Sequence, residues 1–246
     1  FGLKHTLSGI INTWEMLVPG VCGSIAARTR FMDDCLEKAI ENQVEQLVIL
    51  GAGYDTRAFR FNALKEKVNV FEIDHPATQA SKLQRLKKHR AGCDHFITYI
   101  PVNFEKENFG KKLFSHGYEP SLRTFYIWEG VSYYLRPAVV DDTLHFISKN
   151  SAAGSEIVFD YFPASFAAGT CHLPEAPCLK EILKNFGEKV LFGISPQKLD
   201  DFLQKRGFVV IRNFSSDAYM KACFKGRAPI GRTFSNLFFF VHAMIP

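Results

Sequence analysis

The segment Gln46-Leu-Val-Ile-Leu-Gly-Ala-Gly-Tyr-Asp-Thr56 decides the fold of this 246-residue chain. It begins with a short apolar run, which is typical of a strand buried on both faces, and the run ends at Gly51-Ala-Gly53. Glycines at that point allow a tight turn and let a ligand approach the backbone without meeting a Cβ atom. In an open parallel sheet such a loop lies at the carboxyl edge, where ligands bind. A plain turn is the alternative interpretation of the same residues.

Further short apolar runs alternate with helical patterns on both sides of this segment. The other predicted strands are Val68–Asp74, His95–Phe104, Thr124–Glu129, Glu156–Asp160, Phe208–Phe214 and Phe234–Ala243. Helices are predicted between Cys22 and Asn42, over Ala77–His89, over Pro137–Lys149, and from a cap at Ser195 to Lys205. This alternation predicts an α/β fold with a doubly wound, Rossmann-like, mostly parallel seven-stranded sheet. No helical pattern separates the last two strands, so we expect them to pair antiparallel at the edge.

Composition places the chain among ordinary globular proteins. Hydrophobic residues make up 47% and charged residues 22%, which excludes disordered, collagen-like and coiled-coil classes. No internal repeat or low-complexity linker divides residues 1–246, so we expect a single domain. No stretch approaches the roughly 18 apolar residues that a membrane span needs, and no membrane partner is expected.

Charge and cysteine content set further expectations. A net charge of +5 without a basic stripe argues against a nucleic-acid partner. The basic cluster Lys82–Arg90 is interpreted as a solvated helix face, with binding of an anionic partner as the alternative. Six scattered cysteines, Cys93 among them, are too few for a disulfide framework in a chain of this size. We interpret them as reduced thiols and expect a cytoplasmic protein.

The end of the second predicted strand carries an acid. Asp74 follows Gly51 at close to the spacing of about 20 residues at which a carboxylate reaches ribose hydroxyls in dinucleotide folds. Its alternative role is to cap the helix that begins near Pro76. A dinucleotide fingerprint, however, has a third glycine where this chain has Thr56, and Asp55 would meet the phosphates. The loop therefore favours S-adenosyl-L-methionine, which has a ribose but no phosphate.

Three segments together resemble the leucine carboxyl methyltransferase superfamily, which includes bacterial O-methyltransferases of the polyketide type. They are Ile49-Leu-Gly-Ala-Gly-Tyr-Asp-Thr-Arg-Ala-Phe-Arg60, Val70-Phe-Glu-Ile-Asp-His-Pro76 and Ile127-Trp-Glu-Gly-Val-Ser-Tyr-Tyr-Leu135. The resemblance covers about residues 26–161, and the segment after Pro163 shares only the rhythm of strands and helices.

The resemblance implies a set of residues that bind the cofactor S-adenosyl-L-methionine. Arg28 would hold its carboxylate, Gly51 and Gly53 would lie under the methionine moiety, and Asp74 would hold the ribose. The family's Asp-Leu pair that contacts adenine corresponds here to Asn103-Phe104, and Glu129 corresponds to the acid near the amino end. Alternative roles remain open for two of these residues. Arg28 could be a surface residue, and Glu129 could form a structural salt bridge.

The candidate acceptor residues follow the fourth and fifth predicted strands. Tyr133, Tyr134 and Asp160 are the candidate catalytic residues, although tyrosine pairs are as often packing residues. A carboxylate acceptor needs no base, whereas a hydroxyl acceptor needs one, for which Asp160 or a histidine would serve. The segment 163–193 is predicted to be a lid or acceptor-site insertion. Cys171, His172 and Cys178 fit no zinc pattern, so no metal site is predicted.

The sequence therefore predicts an S-adenosyl-L-methionine-dependent O-methyltransferase. Its acceptor would be a carboxyl or hydroxyl group of a small molecule or of a protein C-terminus. Two alternatives are a nicotinamide-dependent oxidoreductase and a non-catalytic binding module with the same fold. The oligomeric state cannot be predicted from the sequence.

Overall fold

The computed structural model describes residues 13–89, 95–224 and 234–246. The strands are β1 (Gln46–Leu50), β2 (Asn69–Asp74), β3 (Ile97–Pro101), β4 (Thr124–Trp128), β5 (Glu156–Tyr161), β6 (Val209–Ser215) and β7 (Phe239–Met244). The helices are α1 (Val21–Glu41), α2 (Arg57–Arg60), α3 (Leu64–Lys67), α4 (Pro76–His89), α5 (Phe109–Ser115), α6 (Pro137–Lys149), α7 (Ala164–Ala168), α8 (Ala176–Asn185), α9 (Leu199–Gln204) and α10 (Ser216–Phe224). Arg90 and Cys93 lie outside the described residues. None of the described helices is long and apolar enough to cross a membrane.

The seven strands form one sheet in the order β3-β2-β1-β4-β5-β7-β6. β1 pairs in parallel with β2 and β4, so the loops after these three strands meet at one edge of the sheet. β7 is antiparallel to both β5 and β6. The predicted mostly parallel sheet, with its last two strands paired antiparallel at the edge, is confirmed. β7 itself lies one place in from the edge.

Helices cover both faces of the sheet, which is why its central strands are buried and almost entirely apolar. β1 and β4 are buried throughout. Alternate residues of these strands belong to two separate apolar layers, one containing Phe31 of α1 and the other Leu144 of α6. Helix α1, which the sequence predicted, presents an apolar stripe to the sheet, with Phe31, Met32, Cys35 and Leu36 all buried.

The segment between β6 and β7 was predicted to lack a helix, and this prediction is wrong. Helix α10 occupies nine residues of it. Tyr219 packs edge-on against Phe31, with ring centroids 5.3 Å apart, and donates a hydrogen bond to Asp34 over 2.6 Å. The buried Oγ of Ser216 lies 2.9 Å from that of Ser24. These partners all belong to α1, which is distant in sequence, so the short segment shows no periodicity of its own.

Ser195 lies at the N-cap position before Pro196, as predicted, but the expected capping hydrogen bond is not formed. Its hydroxyl donates to the side chain of Gln197 over 3.0 Å and makes no capping bond to the backbone. The reason is that Pro196–Lys198 forms a turn of 3-10 helix, which separates Ser195 from the start of α9. The segment 163–193, to which the sequence assigned no single period, holds the two short helices α7 and α8.

The basic cluster on α4 is only partly a solvated face. Arg85, Lys87 and Lys88 are exposed, as predicted. Lys82, however, is buried because its ammonium pairs with the carboxylate of Glu72 on β2 beneath the helix. The prediction of a solvated face is therefore wrong for Lys82.

Candidate functional site

The loop after β1 has the open backbone geometry that the sequence predicted. Gly51 and Gly53 have φ values of +68° and +49°, which residues other than glycine rarely adopt. A Cβ at Gly51 would lie 2.4 Å from a methyl carbon of Val131, so no other residue fits there without a shift. A Cβ at Gly53 would find no atom nearer than the Gly51 carbonyl oxygen at 3.9 Å. Gly53 therefore exposes backbone to open space.

Asp74 at the end of β2 holds this loop. Its Oδ2 accepts the Gly53 N–H over 2.6 Å, and its Oδ1 accepts the N–H of His75 over 2.6 Å. The first turn of α4 receives its bond from His75 instead, whose Nδ1 accepts the N–H of Ala77 over 3.3 Å. The Asp74 carboxylate therefore does not cap α4, which was its alternative role.

Beside the loop lies a cavity of about 330 Å³, which we call the loop cavity. The backbone side of this cavity is formed by the glycine turn itself. Charged side chains from α1, α2 and the end of β4 complete it. Its lining residues are Arg28, Thr29, Ile49, Gly51, Ala52, Gly53, Tyr54, Asp55, Thr56, Arg57, Arg60 and Glu129.

Arg28 enters the loop cavity from α1 and is not a surface residue. Its Nε donates to Glu129 over 2.9 Å, and its Nη1 donates to Asp160 over 2.9 Å and to the Tyr133 hydroxyl over 3.3 Å. Burial alone would lower the pKa of this guanidinium, but the nearby carboxylates outweigh burial and raise it. Within the described part of the chain, the hydrogen bonds of the Arg28 side chain come from Nε and Nη1, and Nη2 has no hydrogen-bond acceptor.

Glu129 lies between two arginines. Its Oε1 accepts from Arg28 and from the Thr29 hydroxyl, and its Oε2 lies 2.7 Å from Nη1 of Arg57. Burial would raise the pKa of this carboxyl, but the two guanidinium groups hold it below its usual value. Glu129 therefore forms the structural salt bridge that was its alternative role, and its side chain also lines the loop cavity.

Arg57 is a residue of the site that the sequence analysis did not single out. Its side chain is only 2% exposed and pairs with three carboxylates, at 2.7 Å from Asp33, 2.5 Å from Asp55 and 2.7 Å from Glu129. Burial would lower its pKa, but these carboxylates raise it. The spacing Asp55-Thr-Arg57 was the available signal, because an acid two residues before a helix-opening arginine can accept both its N–H and its guanidinium.

Asp160 lies at the expected edge of the sheet but is fully engaged. Its Oδ2 accepts from Arg28 over 2.9 Å and its Oδ1 accepts the Gly130 N–H over 2.7 Å. Burial raises its pKa, and the attraction of Arg28 opposes that rise. This geometry makes Asp160 a support for Arg28. Its use as a general base stays a prediction.

Tyr133 and Tyr134 lie near Arg28 in a 3-10 turn after β4. The two rings meet edge-on with centroids 4.6 Å apart. Burial raises the pKa of both phenols, with Asp160 adding to the rise at Tyr133 and Glu188 at Tyr134. Both therefore remain neutral hydrogen-bonding groups. The Tyr133 carbonyl accepts the N–H groups of Leu191 and Phe192, which joins the segment 163–193 to this turn.

Asn103 and Phe104 follow β3 and do not line the loop cavity. The side-chain oxygen of Asn103 accepts the Glu105 N–H over 3.0 Å, and the Phe104 ring packs against Phe109 with centroids 5.7 Å apart. Their contact with adenine stays a prediction.

A second cavity of about 550 Å³, which we call the edge cavity, lies beside the end of β5 and the start of β7. Much of its lining comes from the predicted lid and from the residues that follow it. These residues are Pro163, Ala164, Ser165, Cys171, His172, Leu173, Ser195, Pro196, Gln197, Asn236 and Phe239. In the described ranges no three His, Cys, Asp or Glu side chains are placed to hold a metal ion, so Cys171, His172 and Cys178 form no such group.

Two solved structures with this architecture are described as methyltransferases. A Thermobifida fusca protein described as a methyltransferase superposes with a TM-score of 0.68 at 15% identity, covering 97% of this chain and 87% of that one. The magnesium protoporphyrin IX methyltransferase ChlM from Synechocystis PCC 6803, with bound SAH, gives a TM-score of 0.54 at 10% identity over 90% of this chain and 84% of that one. The fold and the glycine turn with its acidic partner therefore define a protein of the methyltransferase fold.

Comparison with related sequences identifies the family to which the chain belongs. A model of the leucine carboxyl methyltransferase family matches residues 9–148, and the chain belongs to this family. YktD of Bacillus subtilis, named as an S-adenosyl-L-methionine-dependent methyltransferase, is 28% identical over 220 residues, which is 89% of this chain and 71% of that protein. A Streptomyces coelicolor protein named in the same way is 37% identical over 139 residues, which is 56% of this chain and 48% of that protein, about half its length. The predicted family, and S-adenosyl-L-methionine as its cofactor, are confirmed.

Proposed function

We propose that this protein uses S-adenosyl-L-methionine to methylate an oxygen atom, in a carboxyl or hydroxyl group of a small molecule or of a protein C-terminus. Residues 1–246 would act as a single methyltransferase domain. Family membership and fold support the cofactor and the reaction class. Transfer to oxygen rests on the resemblance to leucine carboxyl methyltransferases and to bacterial O-methyltransferases.

The observation that carries the proposal is the chemistry of the loop cavity. It joins an exposed glycine backbone to an arginine whose Nη2 lacks an acceptor among the described residues. A guanidinium nitrogen is a strong donor to a carboxylate such as that of an amino acid. The Gly53 backbone offers room for close approach, and Asp74 stands at the adjacent strand end with lone pairs left for hydroxyl groups. The residues present therefore fit S-adenosyl-L-methionine.

The chain's own residues would act by positioning. Arg28 would hold the amino-acid carboxylate, and Asp160 and Glu129 would fix the guanidinium in the required orientation. Gly51 and Gly53 would support the methionine moiety, and Asp74 the ribose. When bound, S-adenosyl-L-methionine supplies a methyl group on a sulfonium whose departure needs no acid. Alignment and exclusion of water are then what the protein must provide.

We place the acceptor in the edge cavity, with the segment 163–193 as its lid. The cavity lies at the carboxyl edge of the sheet, and its volume of about 550 Å³ is within the range of small-molecule sites. Tyr133 and Tyr134 lie between Arg28 and the lid, since the Tyr133 hydroxyl meets Arg28 while its carbonyl binds the lid backbone. For a hydroxyl acceptor, His172 in this lining is the histidine placed to serve as base.

The proposal is tested by incubating the protein with S-adenosyl-L-methionine labelled on its methyl group and with cell extracts. We expect label in an acceptor, released by mild alkali if a carboxyl group is methylated and stable to alkali if a hydroxyl group is. Mass spectrometry of the product identifies the methylated atom. A product methylated on nitrogen, carbon or sulfur would contradict transfer to oxygen. Cofactor binding without any labelled product would favour a non-catalytic binding module.

A further inference from the structure

Lys82 and Glu72 form a buried ion pair close to the glycine loop. Their side chains are 5% and 1% exposed, and Nζ lies 2.5 Å from Oε2. The other carboxylate oxygen, Oε1 of Glu72, is buried without a partner among the described residues. The pair is thus incompletely satisfied within the protein.

The same ammonium also reaches the loop. Nζ of Lys82 donates to the carbonyl oxygen of Asp55 over 2.8 Å. Asp55 directly follows the Gly51–Tyr54 turn, and its carboxylate is bound by Arg57. Asp55 is therefore held at two points, at its side chain from α2 and at its backbone from α4.

The loop is held mainly by hydrogen bonds. Ala52 is buried, but Tyr54 at the tip is 53% exposed and the two glycines contribute no side chain. The Gly51 and Ala52 N–H groups bond to the Ile73 carbonyl, the Gly53 N–H bonds to Asp74, and the Asp55 carbonyl accepts from Lys82. These backbone partners all belong to the β2–α4 unit, in which Lys82 alone binds the far end of the loop.

We propose that Lys82, oriented by Glu72, is a positioning residue that fixes the Asp55 carbonyl and thereby the cofactor-binding turn Gly51–Gly53. For its effect on the cofactor, this inference rests on the proposed function.

The chemistry of the Lys82–Glu72 pair favours a role in positioning the loop rather than in stabilising the fold. A buried ion pair is seldom more stabilising than apolar side chains of similar volume, because both charges lose their hydration. Leucine and methionine would fill the same space, but neither can donate a hydrogen bond to the Asp55 carbonyl. The function that only the lysine provides is this hydrogen bond.

The test compares wild type with the double variant Glu72→Leu/Lys82→Met, which removes both charges together. Lys87→Met is the matched control, because Lys87 is an exposed lysine on the same helix. Amide hydrogen exchange of peptides spanning residues 51–57 is measured without cofactor, and affinity for S-adenosylhomocysteine is measured by calorimetry. Urea unfolding of each variant reports its stability.

We expect the loop amides of the double variant to exchange about tenfold faster, with affinity about tenfold weaker and the unfolding midpoint close to wild type. The control should match wild type throughout. Wild-type exchange and wild-type affinity in a folded double variant would overturn the inference. If the double variant does not fold, Glu72→Gln replaces it, and about threefold faster loop exchange supports the inference while unchanged exchange overturns it. If the wild type binds no S-adenosylhomocysteine, the proposed function fails, and loop exchange still decides the role of Lys82.

Discussion

The two cavities at the carboxyl edge of the sheet differ in the charge of the residues that line them. The loop cavity, beside β1 and β4, is lined by two arginines with their carboxylate partners and by a glycine turn. The edge cavity, beside β5 and β7, is lined by neutral and apolar side chains from four separate stretches of the chain. Networks of ion pairs fix the position of each charged group, whereas a lining without ion pairs fixes mainly the shape of the cavity. Under the proposed function, the loop cavity would hold the constant cofactor and the edge cavity would set the choice of acceptor.

The largest expected effect concerns the buried ion pairs of the loop cavity. Arg57→Met leaves Asp33, Asp55 and Glu129 without their shared buried cation, and we expect a loss of about 3–5 kcal/mol in the free energy of unfolding. Urea unfolding measures it. Arg60→Met is the control, because Arg60 also pairs with Asp33 but is 44% exposed, and exposed pairs contribute about 0–1 kcal/mol. Equal small losses in both variants would show that the buried network does not stabilise the fold.

The next effect concerns ligand recognition by the same network. Arg28→Lys keeps a positive charge near Asp160 but removes the planar fork, so we expect affinity for S-adenosylhomocysteine to fall by about 1.5–3 kcal/mol. Methylthioadenosine lacks the amino-acid end and should bind both proteins equally. Arg30→Lys is the control, since Arg30 is exposed on the same helix. Loss of affinity for both ligands alike would place Arg28 away from the amino-acid end.

A smaller effect tests whether the loop cavity and the edge cavity are independent of each other. A Cβ at Gly193 would lie 2.8 Å from the Pro163 carbonyl oxygen and 2.9 Å from that of Phe162, next to the edge cavity. Gly193→Ala should therefore cost about 1–3 kcal/mol in the free energy of unfolding, by overpacking. Cofactor affinity of the folded variant should not change. Weakened cofactor binding, measured by calorimetry, would show that the two cavities are not independent. Lys189→Ala, at an exposed residue of the same segment, is the control.

The smallest expected effect is a pH dependence of the free energy of unfolding. Burial raises the pKa of Glu72 to about 7, although Lys82 opposes this, and Asp55 and Asp74 add to the rise. Because the folded pKa lies above the unfolded one, stability linked to this carboxyl is complete at low pH and is lost as the pH rises through about 7. The unfolding free energy of wild type relative to Glu72→Gln should fall by about 1–2 kcal/mol between pH 5 and pH 7.5. A constant difference over this range would contradict the raised pKa.

The sequence predicted the parallel part of the fold well, because each buried strand is a local apolar run. β1 and the turn at Gly51 are examples, since periodicity and glycine placement are visible within a few residues. Helix α10 was missed because it depends on Phe31 and Asp34 of α1, which lie far away along the chain.

The candidate site was predictable to a similar extent. Arg28, Asp74 and Glu129 were identified from short motifs and do lie around the loop. The partners that give them their chemistry, such as Arg57 for Glu129 and Asp160 for Arg28, were not assigned. Lys82 was taken for a solvated residue for the same reason. Its buried partner Glu72 lies on a strand that is covered on both faces, where an apolar residue is expected.

The most direct test of the central claim is calorimetric titration of wild type and Asp74→Ala with S-adenosylhomocysteine. We expect micromolar binding to wild type and a loss of about 1–3 kcal/mol in the variant, the cost of unpaired buried hydrogen-bonding groups. Absence of binding to folded wild-type protein, or equal binding to both proteins, would contradict a cofactor site at the Gly51–Gly53 turn.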